Sequence, residues 1–111
     1  MKVIAIVGPT AVGKTALSLE IAEKLSAEII NADAMQIYKG MDIGTAKLPL
    51  SQRRGIVHHQ IDVLDPSEEA NVSQYQKQSR EIINNLLSKN VQPILVGGSG
   101  LYVNSVLEDL E

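Results

Sequence analysis

The sequence has no cysteine, phenylalanine or tryptophan, and only three tyrosines. Without cysteine the chain has no disulfide framework, no cysteine nucleophile and no thiolate metal site. The scarcity of aromatic rings argues against stacking platforms for single-stranded nucleic acid. No apolar run approaches the ~18 residues of a membrane span, and residues 1–10 indicate a first strand rather than a signal peptide. We therefore expect a cytoplasmic protein with no membrane partner.

What the sequence does contain is enough for a packed core. Hydrophobic residues make up 44% and charged residues 21% of the 111 residues, so we expect one domain at most, with a core of Ile, Leu, Val and Ala. The net charge of −3 is uneven, because residues 39–55 carry four bases and one acid while residues 56–111 carry three bases and eight acids. This pattern argues against a nonspecific nucleic-acid binder. The basic middle segment is either a solvated loop or the place where a polyanion approaches.

Strand-like and helix-like stretches alternate along the chain. Strands are predicted at Lys2–Val7, Glu28–Ile30, His59–Leu64 and Pro93–Val96, and helices at Thr15–Leu25, behind Ser73 and over Leu101–Leu110. This order predicts an α/β fold in which helices flank a P-loop-like parallel sheet in three layers. Because such a domain with four strands looks unfinished, we expect residues 1–111 to be part of a longer enzyme.

Three local expectations follow from residue patterns. The β-branched run of the first strand is typical of a strand buried on both faces. In the first helix, Leu17, Ile21 and Leu25 recur at four-residue spacing and form the predicted apolar stripe. Ser73 and Gln76 match a capping box that would start the second long helix.

The most informative motif is a phosphate-binding loop between the first strand and the first helix. It matches G-x-x-x-x-G-K-[ST] in the context that such a loop requires, and it consists of Gly8, Pro9, Thr10, Ala11, Val12, Gly13, Lys14 and Thr15. Successive backbone N–H groups and the helix N-terminus bind an anion. Lys14 supplies a cation to the phosphate oxygens, and the Thr15 hydroxyl is the expected Mg²⁺ contact. The motif predicts a di- or triphosphate ligand with magnesium, but not the reaction.

Other strand ends offer further candidates, since ligands gather beyond the carboxyl ends of parallel strands. Asp33 follows the second strand and has three possible roles: magnesium ligand through water, general base, or cap of the next helical turn. Ser99 lies where the fourth strand turns toward a helix. His58 and His59 point to opposite faces of a strand, so we interpret them as structural rather than as a metal pair.

Four segments together resemble a known family. GPTAVGKT, NADAMQIYKGMDIGTAK, HHQIDVLDP and PILVGGSGLY occur here in an order and spacing similar to those of the amino-terminal part of bacterial tRNA dimethylallyltransferases. The resemblance runs from about residue 3 to residue 107. The stretch from Asn31 to Lys47 is the more specific part, because many enzymes share the phosphate loop alone.

The resemblance implies a reaction and its participants. Dimethylallyl diphosphate donates its prenyl group to the exocyclic amine of an adenine beside the tRNA anticodon, and diphosphate leaves. Lys14, Asp33 and Ser99 are the implied catalytic residues, Asp33 being the base, and Thr15 is the implied Mg²⁺ ligand. The implied tRNA contacts are Asp33, Ala34, Met35, Gln36 and Ser99. Ser99 stands where many relatives carry threonine, which keeps the hydroxyl.

The resemblance also implies a much longer protein. Family members are about three times as long, so residues 1–111 should hold most of the diphosphate site yet be inactive on tRNA alone. The whole enzyme is expected to be a monomer that grips the anticodon arm mainly through later segments.

Three alternatives stay open at this stage. An adenylate isopentenyltransferase would share the loop and Asp33 but use a free nucleotide. A P-loop small-molecule kinase would need arginines over the transferred phosphate, for which the chain offers only Arg53, Arg54 and Arg80. A non-catalytic nucleotide-binding module would need no base.

Overall fold

A computed structural model describes residues 2–8, 12–33, 50–61, 63–64, 67, 71–97 and 106. Its elements are strand β1 (Ile4–Val7), helix α1 (Val12–Leu25), strand β2 (Glu28–Asn31), a short 3-10 turn (Leu50–Gln52), strand β3 (His58–His59), helix α2 (Val72–Ser88) and strand β4 (Pro93–Gly97). The predicted positions of β1, β2, β4 and the two long helices are therefore confirmed, with shifts at their ends, whereas β3 shares only His59 with its prediction.

The four strands form one parallel sheet in the order β1-β4-β2-β3. One core cluster lies on the α1 side of the sheet and a second on the α2 side. The first consists of Leu19, Ala22, Ala27, Ile29 and Ile94. The second consists of Ile30, Ala32, Tyr75, Ile83, Leu86, Leu95 and Val106. Because neighbouring residues of β2 and β4 belong to opposite clusters, the sheet is covered on both faces and the predicted three-layer architecture is confirmed.

Strand β1 differs from its prediction. Ile4 and Ile6 are half-buried, but Ala5 and Val7 are exposed, so the strand is not buried on both faces. The reason is its place in the sheet, since among the described strands β1 lies at an edge and pairs only with β4.

Helix α1 buries a face that only partly matches the predicted one, since Ile21 alone of the predicted stripe packs against the α1-side cluster. Leu17 and Leu25 are 49% and 48% exposed, whereas Leu19 and Ala22 pack against the sheet. The helix carries apolar residues on several sides, so the four-residue spacing of Leu17, Ile21 and Leu25 did not identify its buried face. On the exposed side of this helix, Glu20 and Lys24 form an ion pair at 3.3 Å.

The start of helix α2 also corrects the sequence analysis. Asn71, not Ser73, is the N-cap, and its side chain accepts a hydrogen bond from the backbone N–H of Gln74 at 3.2 Å. Helix α2 then buries Tyr75, Ser79, Ile83 and Leu86, a spacing of one helical face.

Strand β3 is shorter than predicted. It ends at His59, because Gln60 adopts a left-handed backbone conformation with φ 65°. Of the predicted last helix, Leu101–Leu110, only Val106 belongs to the described residues, where it is helical and fully buried.

Candidate functional site

The carboxyl ends of β1, β4 and β2 meet at one edge of the sheet. Val7 lies opposite Gly97, and Val96 lies opposite Asn31. Beyond the strands, the Gly8 N–H donates to the carbonyl of Gly97 at 3.3 Å. This register places Gly8 and the segment that carries Asp33 on either side of the end of β4.

A cavity opens at this edge. Lys14 and Thr15 from α1, Asp33 from the end of β2, and His58 from β3 all contribute to its wall. Its other lining residues are Ser18, Ile29, Asn31, Ile61, Val96 and Gly97. The structure thus brings together the three described side chains that the sequence singled out for phosphate binding, metal binding and base chemistry.

The Lys14 side chain reaches back to Gly8. Its ammonium donates to the carbonyl of Gly8 at 3.0 Å. Thr15 follows within the first turn of α1, where backbone N–H groups have no partner inside the helix. The positive charge of Lys14 and the start of a helix therefore both lie at the cavity, which suits an anion.

Two glycines, Gly8 and Gly97, lie at this edge, and packing requires glycine at only one of the two positions. A Cβ at Gly97 would lie 2.7 Å from the carbonyl carbon, carbonyl oxygen and Cβ of Ala32, so the close approach of β4 to the end of β2 requires glycine there. A Cβ at Gly8 would meet nothing within 4 Å. Packing therefore does not demand Gly8, and the open space beside it is available to a ligand.

Asp33 is held by its neighbour two residues earlier. The Asn31 side-chain oxygen accepts from the Asp33 N–H at 3.0 Å, and its amide nitrogen donates to the Asp33 carbonyl at 2.8 Å. Asn31 is buried, whereas Asp33 is half-buried at the cavity wall. This Asx-type turn fixes the backbone from which the carboxylate projects.

His58 contributes an imidazole to the same wall. Burial lowers the pKa of His58 below 6.5, although its Nδ1 hydrogen bond to the Ile56 carbonyl, at 3.0 Å, acts in the opposite direction. Because a carbonyl only accepts, Nδ1 carries the proton and Nε2 keeps its lone pair. His59 instead pairs with Glu28 at 2.6 Å, so the two histidines do not act as one metal site.

The cavity is also lined by Asn31, His58 and Ser18, none of which was predicted as a site residue. Asn31 had a readable signal, since an asparagine two residues before a candidate base is the pattern of an Asx turn. His58 had none, because its place depends on the pairing of β3 with β2.

Several predicted site residues lie outside the described residues. They are Pro9, Thr10, Ala11, Ala34, Met35, Gln36 and Ser99, and only the helical backbone is described for Val12 and Gly13. Within the described ranges, no three His, Cys, Asp or Glu side chains group as a metal site. In that same part of the chain, neither long helix is long and apolar enough to cross a membrane.

The fold and the G-x-x-x-x-G-K-[ST] motif together define an α/β domain of the P-loop type. Comparisons then give the family: the model described as "IPP transferase" matches residues 36–111, and the model described as "Isopentenyl transferase" matches residues 1–57. The chain belongs to the IPP transferase family.

Individual relatives agree with this assignment. The chain is 58% identical to the tRNA dimethylallyltransferase of Clavibacter sepedonicus, over 98% of this chain and 37% of the relative. It is similar to the crystal structure of the full-length tRNA isopentenylpyrophosphate transferase of Bacillus halodurans, with TM-score 0.92 and 47% identity over 99% of this chain and 37% of that one. A eukaryotic dimethylallyltransferase, solved in crystallographic snapshots of its action on tRNA, has TM-score 0.89 and 36% identity over 100% of this chain and 28% of that one. The chain thus spans about a third of the length of the curated relatives it matches.

Proposed function

We propose that the whole protein transfers a dimethylallyl group from dimethylallyl diphosphate to the exocyclic amine of an adenine beside the tRNA anticodon, and releases diphosphate. In this proposal residues 1–111 bind the diphosphate and supply the base. The observation that carries it is the shared cavity of Lys14, Thr15 and Asp33. Since tRNA is the proposed acceptor, we place the reaction in the cytoplasm.

The phosphate loop is the proposed cradle of the leaving group. Breaking the allylic C–O bond leaves the electron pair on diphosphate and positive charge on the allyl carbons. The Lys14 ammonium and the backbone N–H groups at the start of α1 oppose that developing negative charge. The N–H groups of the first helical turn belong to the regular helix α1, Val12–Leu25, so little reorganisation is needed there as the charge grows.

Magnesium fits the residues of this cavity. The Thr15 hydroxyl and the Asp33 carboxylate are oxygen donors in the same wall, and Mg²⁺ is commonly held by one or two protein oxygens, with substrate phosphates and waters completing its shell. We assign Thr15 as its protein ligand. Bound there, Mg²⁺ would neutralise diphosphate charge.

Asp33 is the proposed general base. An adenine amine is a poor nucleophile because its lone pair is delocalised into the ring. As the new C–N bond forms, the amine proton passes to the Asp33 carboxylate, which contributes ~10²–10⁴-fold to the rate. Asp33 lies at the wall and is half-buried rather than enclosed, so an acceptor can reach it.

The contacts to tRNA are proposed for the segment after Asp33 and for the end of β4. Ala34, Met35, Gln36 and Ser99 are the residues concerned, and the Ser99 hydroxyl also belongs to the proposed catalytic set. The adenine must leave its stack to reach the allyl carbon, at a cost of a few kcal/mol.

A second candidate function, prenylation of a free adenylate, would use the same cavity, since the description "Isopentenyl transferase" of the model that matches residues 1–57 names no acceptor. A kinase has less support, because no arginine lines the cavity among the described residues. Arg54, for example, pairs with Glu23 on the surface at 2.6 Å.

The test of the acceptor incubates the whole protein with labelled dimethylallyl diphosphate and either tRNA or AMP. We expect label in tRNA and not in AMP. Label in AMP alone identifies the adenylate enzyme instead, and label in neither acceptor contradicts prenyl transfer.

Two variants separate binding from chemistry in the same assay. Asp33→Asn should bind dimethylallyl diphosphate normally but lower kcat by ~10²–10⁴-fold. Lys14→Ala should weaken that binding about 10- to 100-fold, since it removes a charged hydrogen bond. Lys24→Ala is the matched control, because Lys24 is 73% exposed on the last turn of α1. An Asp33→Asn protein with normal kcat would indicate a non-catalytic binding module.

A further inference from the structure

The Asn31 side chain, at the end of β2, makes three hydrogen bonds. Besides the two bonds to Asp33, its amide nitrogen donates to the carbonyl of Gln60 at 3.0 Å. The side chain thus uses both amide protons and its oxygen, while the residue is 4% exposed. Buried polar groups with this many partners hold one orientation, because any rotation leaves a donor or acceptor unpaired.

The anchor of Asn31 is itself held by helix α2. The Tyr75 hydroxyl donates to the Asn31 carbonyl at 2.7 Å. The Gln60 side chain donates to the Ser79 hydroxyl at 3.0 Å. Tyr75 and Ser79 are one helical turn apart and buried, so a rigid element supports both Asn31 and its partner Gln60.

The conformation of Gln60 supports the same interpretation. Its φ of 65° lies in the left-handed region, which costs a non-glycine residue about 1–2 kcal/mol. In this conformation its carbonyl accepts from Asn31 while its side chain reaches Ser79. The buried bonds maintain a backbone conformation that the residue would otherwise avoid.

We propose that Asn31 is a positioning residue for Asp33, an inference that rests on the proposed role of Asp33 as base. Its amide clamps both the N–H and the carbonyl of Asp33 and transmits the rigidity of α2 to the carboxylate. An aspartate would keep the acceptor but lose both donors. A serine would make the turn more weakly through its hydroxyl.

The first test measures steady-state kinetics of the whole protein with tRNA and dimethylallyl diphosphate. Asn31→Ala should lower kcat about 10- to 100-fold, as expected when a reacting group is misplaced, with little change in KM for dimethylallyl diphosphate because the phosphate loop is intact. Asn31→Ser should recover part of this kcat. Ile83→Val is the stability control, since Ile83 is buried in the α2-side cluster and the change removes one methyl group outside the site.

The second test is a double-mutant cycle, which a merely structural role would not satisfy. In an Asp33→Asn background, Asn31→Ala should have almost no further effect on kcat, because Asn31 acts only through the carboxylate. An equal loss of kcat in both backgrounds, or a loss matched by Ile83→Val, overturns the inference. Failure of the proposed function looks different: Asp33→Asn alone would then leave kcat unchanged.

Discussion

At the scale of single residues, chemistry here depends on which groups stay uncharged as much as on which are charged. Lys14 brings a cation and Asp33 a carboxylate to the cavity, and His58 lies in the same wall. Burial is the main cause that lowers the pKa of His58, and the nearby Arg53 and His59 lower it further. The lowered pKa favours the neutral imidazole of His58, and Lys14 is the described cavity residue that supplies positive charge.

His58 gives a prediction about pH. Because its pKa is lower in the folded chain than the ordinary 6.5, the unfolded chain takes up the proton first as the pH falls. The stability contributed by neutral His58 is fully present above 6.5 and is lost as the pH falls through the folded pKa. Proton NMR of the imidazole should show a midpoint below 6.5, and His58→Gln should remove this part of the acid destabilisation. A midpoint at or above 6.5 would contradict the burial argument.

Sequence alone gave the residues whose position follows from local chain order. Lys14 and Thr15 were predictable because the loop joins one strand to one helix, and Asp33 because it directly follows a strand. The hydrogen bonds that hold Asn31 were harder to predict from the sequence, since two of the supporting residues, Gln60 and Ser79, come from distant segments. Their meeting depends on how β3 and α2 dock, and no local pattern encodes that docking.

At the scale of elements, the site depends on how closely β4 approaches the end of β2. Ala32 donates to the Val96 carbonyl at 2.8 Å, and the missing side chain of Gly97 makes room for the Ala32 backbone. Asp33 comes directly after Ala32. The spacing of these two strands therefore sets the depth at which the candidate base enters the cavity.

A pair of glycine variants tests this dependence. Gly97→Ala places a Cβ against backbone atoms of Ala32 and should destabilise the chain by about 1–3 kcal/mol, as overpacking does. Gly8→Ala meets open space and should leave stability nearly unchanged while impairing diphosphate binding. Thermal unfolding and ligand titration of both variants measure the two effects. Equal stability losses would show that the Gly8 backbone, rather than ligand space, needs glycine.

The incorrect predictions about β1, α1 and the start of α2 also have their causes at the scale of elements. Strand and helix positions follow from runs of apolar residues, so they were largely correct. The buried face of α1 and the edge position of β1 depend on which neighbours pack against them, and the strand order β1-β4-β2-β3 decides that. The prediction of the α2 N-cap was wrong for a local reason. Asn71 and Ser73 are both good N-cap residues, and the N-cap in the structure is Asn71.

At the scale of the whole molecule, β1 and β3 are the two edge strands of the described sheet, and β1 is the longer of the two. Among the described strands β1 pairs only with β4, and it exposes Ala5 together with Val7, which is 45% exposed. An open strand with apolar side chains is a template for pairing with another chain. The 111-residue chain by itself should therefore self-associate through β1.

Ala5→Lys tests this association, since a lysine on an edge strand opposes pairing between chains. Sedimentation velocity of the 111-residue chain should show a smaller associated fraction for Ala5→Lys than for the unchanged chain. Ala16→Lys is the matched control, because Ala16 is also exposed but lies on α1 and adds the same charge away from the edge. If both lysine variants reduce association equally, net charge is responsible rather than the β1 edge. If neither does, the edge is not the contact, and the exposed Leu17 and Leu25 of α1 become the surface to test.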